Sequence, residues 1–107
     1  MAILSYSPAA VEVGQILASR IKLARKSRRL TVAQLSERVG VSRVTIQKIE
    51  RGDPTVAIGT VFEAATLLGV VLFHADSERR RIEGLRITDM LALLPETVRV
   101  TKRDDDF

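Results

Sequence analysis

The sequence predicts a mainly α-helical fold of five helices, and three observations predict it. Apolar residues recur at helical spacing in successive stretches. Those stretches are bracketed by residues that start and stop helices. The composition, 46% hydrophobic but only 4% aromatic, suits a small helical core, and the run Val70 to Ala75 stands apart with a strand-like pattern. At 107 residues the chain is expected to hold one domain with an arm or tail.

The helices follow in order. Ser7 at the cap and Pro8 at the first helical position predict a helix to about Arg28, with Leu17, Ile21 and Ala24 as its inward stripe. Thr31 caps a second helix, and Gln34 three residues on completes a capping box, with Leu30 and Leu35 at the staple positions. Gly40 ends it, where a left-handed backbone is needed. Ser42 caps a third helix that runs to about Glu50, and Gly52 and Pro54 stop it. The fourth, about Ala57 to Leu68, carries Ile58, Val61, Phe62, Ala65 and Leu68 as core positions. Val70 to Ala75 then reads as a short strand or extended exit. Such a strand has two outcomes: it covers the core in irregular form, or it pairs with its copy in a second subunit. Asp76 and Ser77 cap the fifth helix, whose apolar side is Ile82, Leu85, Met90, Leu91 and Leu94. A break near Gly84 is expected, and Pro95 ends the pattern.

Thr31 to Gly52 carries the chemistry. Two short helices joined by a tight turn would bury Leu35, Val39, Val41, Ile46 and Ile49, with small Ser36 at the crossing. The second of the pair is left with Arg43, Val44, Gln47, Lys48 and Arg51 outside. Arg and Gln make paired hydrogen bonds to guanine and adenine edges, and Val44 suits a thymine methyl. Arg43, Val44, Gln47 and Lys48 are therefore the candidate base readers. Thr31, Ser42, Thr45 and Arg51 are the candidate phosphate contacts.

This stretch resembles the helix-turn-helix of the Cro and phage-repressor family, also called the XRE family. The resemblance runs from about Leu17 to Leu72, through Leu17, Ile21, Ala24 and Arg25, the ending Glu50-Arg51-Gly52, and Ile58, Val61, Phe62, Ala65, Leu68, Gly69 and Val70. Ser36 stands where the family usually has alanine, and Val32 where a polar phosphate contact is common. The resemblance implies a lambda-repressor-like five-helix DNA-binding domain; if the Val70–Ala75 strand pairs with its copy, it forms an intersubunit sheet in a homodimer. It implies a buried pair between Arg25 and Glu50. It also implies binding as a dimer to near-palindromic double-stranded DNA, recognition helices roughly 34 Å apart, in the bacterial cytoplasm at the nucleoid.

Charge placement supports a nucleic-acid partner. The net charge is +4, but residues 13–52 hold ten basic and two acidic side chains, whereas residues 53–107 hold seven and ten. A basic face attracts phosphate and makes affinity salt-dependent. By itself such a run is a solvated face; here it coincides with the motif. The chain has no cysteine and a single histidine, His74, so neither a thiolate metal site nor a carboxylate–histidine cluster is expected. His74 reads as an ordinary surface or interface residue. No glycine-rich phosphate loop, secretory signal or membrane span is present in the sequence. The expectation is a protein that is not an enzyme and takes no cofactor or metal.

The organisation expected is a helix-turn-helix domain with its arm over residues 1–75, a helical extension over 76–95 and an acidic, flexible tail over 96–107. Val98 to Val100 reads as a brief strand. The tail ends in three aspartates and Phe107, which alternatively reads as a linear motif that orders on a partner. Val71, Phe73, Leu91 and Phe107 are the candidate dimer or partner residues. This plan is similar to HipB-type antitoxins, which repress their own operon and bind a HipA-like serine/threonine kinase toxin. The extra apolar helix and acidic tail, with little sequence left for a sensor, favour that reading. A stand-alone XRE-type repressor without a toxin partner and a pure protein-interaction module are the alternatives.

Overall fold

Side-chain caps mark the start of four of the five described helices. The computed structural model describes residues 5–100, which form α1 (Pro8–Ser27), α2 (Val32–Val39), α3 (Arg43–Glu50), α4 (Ile58–Leu67) and α5 (Ser77–Ala92). Ser7, Thr31, Ser42 and Asp76 each accept a hydrogen bond from a backbone N–H in the first turn of the helix that follows, satisfying donors that a helix start leaves unpaired. At α2 the capping box is complete: Thr31 Oγ1 accepts from Gln34 N at 3.0 Å, and Gln34 Oε1 from Thr31 N at 2.9 Å. Gly40, with φ of 82°, supplies the left-handed turn that ends α2.

The chain divides into two units, Met1–Leu72 and Phe73–Phe107. In the first, α2 packs on α3 and α4, and α1 packs on α3. Their core is Ile21, Leu35, Ile46, Ile49, Ala64, Ala65 and Leu68. Leu17, Ala24, Leu30, Val39, Val41, Val61, Val70 and Leu72 lie against it, half-buried. Ile21, Leu35 and Ile46 are completely buried, each contributing about 1.5–3 kcal/mol relative to exposure. Ser36 is buried at the crossing, and its hydroxyl donates to Ala33 O at 2.7 Å, so the serine costs no unsatisfied polar atom there.

Four expectations need correction. Ile58 and Phe62 do not enter the core; they are 68% and 38% exposed. The inward side of α4 is Val61, Ala64, Ala65 and Leu68, an i, i+3, i+4, i+7 set, and Ile58 and Phe62 sit on the row beside it. The strand expected over Val70–Ala75 does not form in this single chain. Val70 and Leu72 cover the core in irregular form, and Phe73, at φ of 66°, interrupts any extended run. Nor does α5 break at Gly84: the helix is continuous, and Thr88 Oγ1 donates to Gly84 O at 2.9 Å. Residues Val98 to Val100 likewise form no strand.

The second unit is α5 with its flanks. Asp76 Oδ1 accepts from Glu78 N at 2.9 Å, and Arg80 Nη1 donates to His74 O and Ala75 O at 2.7 and 2.8 Å, fixing the entry of the helix. Its ion pairs Glu78–Arg81 and Glu83–Arg86 are solvent-exposed and contribute little. No residue of α5 is buried. Phe107 and the rest of 101–107 lie outside the described residues.

Candidate nucleic-acid interface

The site is built on α3. Ser42 Oγ accepts from Thr45 N at 3.1 Å and is 3.0 Å from Thr45 Oγ1, so the two hydroxyl residues fix the first turn. Ile46 and Ile49 anchor the helix in the core at 0% and 3% exposure. Spacing then determines the outer face. Arg43, Gln47 and Arg51 stand four residues apart and are all exposed, so they form one row along the helix. Val44, 56% exposed, and half-buried Lys48 form the adjacent row. Four of these five residues are long hydrogen-bond donors, a set that matches base edges and phosphates. Thr31 is exposed at the start of α2; its cap uses an oxygen lone pair, so its O–H remains able to donate.

A buried ion pair fixes the end of α3 against α1. Arg25 Nε donates to Glu50 Oε2 at 2.7 Å, and Arg25 Nη2 donates to Glu50 Oε1 at 2.9 Å. A third arm, Nη1, donates to Leu30 O at 2.8 Å. The side chains are only 10% and 7% exposed. The hydrogen bond to Glu50 holds the Arg25 guanidinium above its ordinary pKa, against the opposite effect of burial. One bidentate guanidinium thus ties together α1, the α1–α2 turn and the last residue of α3.

The turn after α3 is closed by backbone bonds. Gly52 N donates to Ile49 O at 3.0 Å and Asp53 N to Lys48 O at 3.0 Å, with Gly52 at φ of 75°, a Schellman ending. Asp53 accepts from the Thr55 hydroxyl at 2.6 Å and from Thr55 N at 2.8 Å. These bonds, the hydroxyl's first, hold its carboxyl below the usual carboxylate range, with smaller help from Lys48 and Arg51. Gln15, from α1, reaches the same turn and donates through Nε2 to Arg51 O at 2.8 Å. No local sequence signal marks Gln15, because its partner is 36 residues away. Beside this turn lies an apolar groove of about 820 Å³, lined by Tyr6, Val11, Gln15, Ile58 and Phe62 among others.

The structure therefore brings Arg43, Val44, Gln47 and Lys48 onto one helix, with Arg51 as its C-cap and Ser42 and Thr45 at its start, and joins Arg25 to Glu50. Val71, Phe73 and Leu91 are exposed, at 52%, 88% and 63%. Among the described residues no group of three or more His, Cys, Asp or Glu side chains could hold a metal ion. Among the described residues no helix is long and apolar enough to cross a membrane.

Comparison with known families agrees with this geometry. Residues 21–71 match a helix-turn-helix family model, a span that includes all of α2, α3 and α4. No curated protein matches the chain. The capped helix pair, its buried core and the donor-rich outer face of α3 thus fall within the matched segment, and residues 21–71, just under half of the chain, are similar to helix-turn-helix domains of the XRE/Cro type, which supports a DNA-binding regulator.

Proposed function

We propose that this protein is a sequence-specific transcriptional repressor that binds a near-palindromic operator as a homodimer. The observation that carries the reading is the exposed face of α3, with Arg43, Gln47 and Arg51 in one row and Val44 and Lys48 beside it, on a helix whose opposite side is anchored by Ile46 and Ile49. In this reading Arg43, Gln47 and Lys48 donate to base edges in the major groove, and Val44 packs on a thymine methyl. Thr31, Ser42, Thr45 and Arg51 hold the phosphates that set the register. Selection from a random duplex pool should return a two-fold-related site. Arg43→Ala should then relax discrimination at one base position by about 1–3 kcal/mol. An equal loss on every duplex would instead assign Arg43 to phosphate.

We further propose that the repressor is the antitoxin of a HipA-like serine/threonine kinase toxin and represses its own operon. What supports this is α5. Its C-terminal half and the two residues after it present Ile87, Met90, Leu91, Leu93 and Leu94 to solvent, at 47–85% exposure. A contiguous exposed apolar side suits a covering partner. Affinity capture from native cells, with the whole chain and with residues 96–107 removed, tests the reading. Recovery of a kinase-like partner supports it. Recovery of only DNA and the protein itself leaves a stand-alone repressor.

A further inference from the structure

The C-terminal end of α3 is held twice from α1, and only one of the two ties is the buried ion pair. The last carbonyls of α3 are used locally: Gln47 O and Lys48 O accept from Arg51 N, Ile49 O from Gly52 N, and Lys48 O also from Asp53 N. The carbonyl of Arg51 itself points away from this turn and is taken by Gln15 Nε2 at 2.8 Å. The approach is close enough that a side chain at the next backbone position would displace the Gln15 amide. A Cβ on Gly52 would stand 2.6 Å from Gln15 Nε2 and 3.0 Å from its Cδ. Gly52 therefore serves the left-handed turn and the access of this amide together. Gln15 is solvent-exposed, so its bond does not fill a core.

We propose that Gln15 is a positioning residue for DNA reading: its carboxamide fixes the backbone of Arg51 and so sets where the Arg51 side chain meets a phosphate. The proposal rests on the reading of α3 as the helix that reads DNA. Arg51 follows directly on α3, where a helix end frays first. The Arg25–Glu50 pair restrains the residue before it through a side chain. Gln15 restrains Arg51 through its own peptide group, so the guanidinium starts from a fixed point rather than from a moving one. Ordering that is already present in the free protein is not lost on binding.

The test uses the whole chain and the duplex selected by the parent protein from a random pool, with affinity measured across a salt series. Gln15→Leu keeps most of the volume and removes the donor; Gln15→Glu keeps the length and turns a carboxylate toward the Arg51 carbonyl. Both should bind about three- to ten-fold more weakly, the worth of one hydrogen bond. Both should also show a log K against log [salt] slope smaller by about 0.9, one phosphate contact, with the parent's melting temperature. Parent-like affinity and slope overturn the proposal. So does weaker binding with the parent's slope, or a lowered melting temperature, either of which makes the bond structural only. Arg43→Ala in the same assay separates the two levels. If it leaves discrimination among duplexes intact, the reading of α3 fails; if it relaxes discrimination while the Gln15 variants bind like the parent, only the positioning role fails.

Discussion

Arg43 sits where local helix chemistry would not put it. It is the first residue of α3, at the end where the helix dipole disfavours a cation, and no acidic residue in that turn compensates. A local rule broken at an exposed position fits the base contact proposed for Arg43. Arg29 is the opposite case, a cost borne inside a turn. It adopts φ of 57°, and Arg29 N and Leu30 N donate to Lys26 O and Arg25 O, the bonds of a Schellman ending. A left-handed conformation costs a non-glycine residue about 1–2 kcal/mol, and the greater chain entropy of glycine offsets part of it. Arg29→Gly should therefore stabilise the fold by about 0.5–1 kcal/mol, read as a rise in the urea midpoint at unchanged slope. A lower midpoint would show that the arginine side chain contributes more than its backbone loses.

The α3 helix is eight residues long, too short to persist alone in water. Its order comes from its attachments: the Ser42 cap, the buried Ile46 and Ile49, and Glu50 on Arg25. Removing one member of a buried pair strands the other charge, which costs about 3–5 kcal/mol. That is a large part of the roughly 5–15 kcal/mol that holds a domain together. Glu50→Ala should unfold the domain or lower its urea midpoint sharply. Replacing both partners, as in Arg25→Met with Glu50→Leu, should recover much of the loss. A double variant no more stable than Glu50→Ala would show that the Arg25 bond to Leu30 O matters more than the ion pair.

Among the described residues the buried hydrophobic side chains all fall between Ala18 and Leu68, within the Met1–Leu72 unit. A fragment of residues 1–72 should keep its helical circular dichroism and unfold cooperatively. It should bind the selected duplex more weakly than the whole chain if Phe73 and Leu91, two of the candidate dimer or partner residues, join the subunits, because both are gone. Equal affinity, with a two-to-one complex on the duplex, would place the dimer contact within residues 1–72.

What the sequence determined by itself was local. The capping box of Thr31 and Gln34, the Ser42 cap and the stops at Gly40 and Gly52 are short-range hydrogen-bond and dihedral choices, legible because both partners lie within a few residues. The outward set Arg43, Val44, Gln47, Lys48 and Arg51 follows from helical period once Ile46 and Ile49 are placed inward. The resemblance to the XRE family added the Arg25–Glu50 pair, which no local rule links. Tertiary structure decided the rest. The phase of α4, which puts Ala64 inside and Ile58 and Phe62 outside, depends on which row meets α2, because all three are apolar and period alone does not choose among them. The irregular path of Val70 to Leu72 depends on the core beneath it, since a lone strand has no hydrogen-bonding neighbour. The Gln15 bond joins residues 36 apart, and such a contact exists only after α1 and α3 have packed.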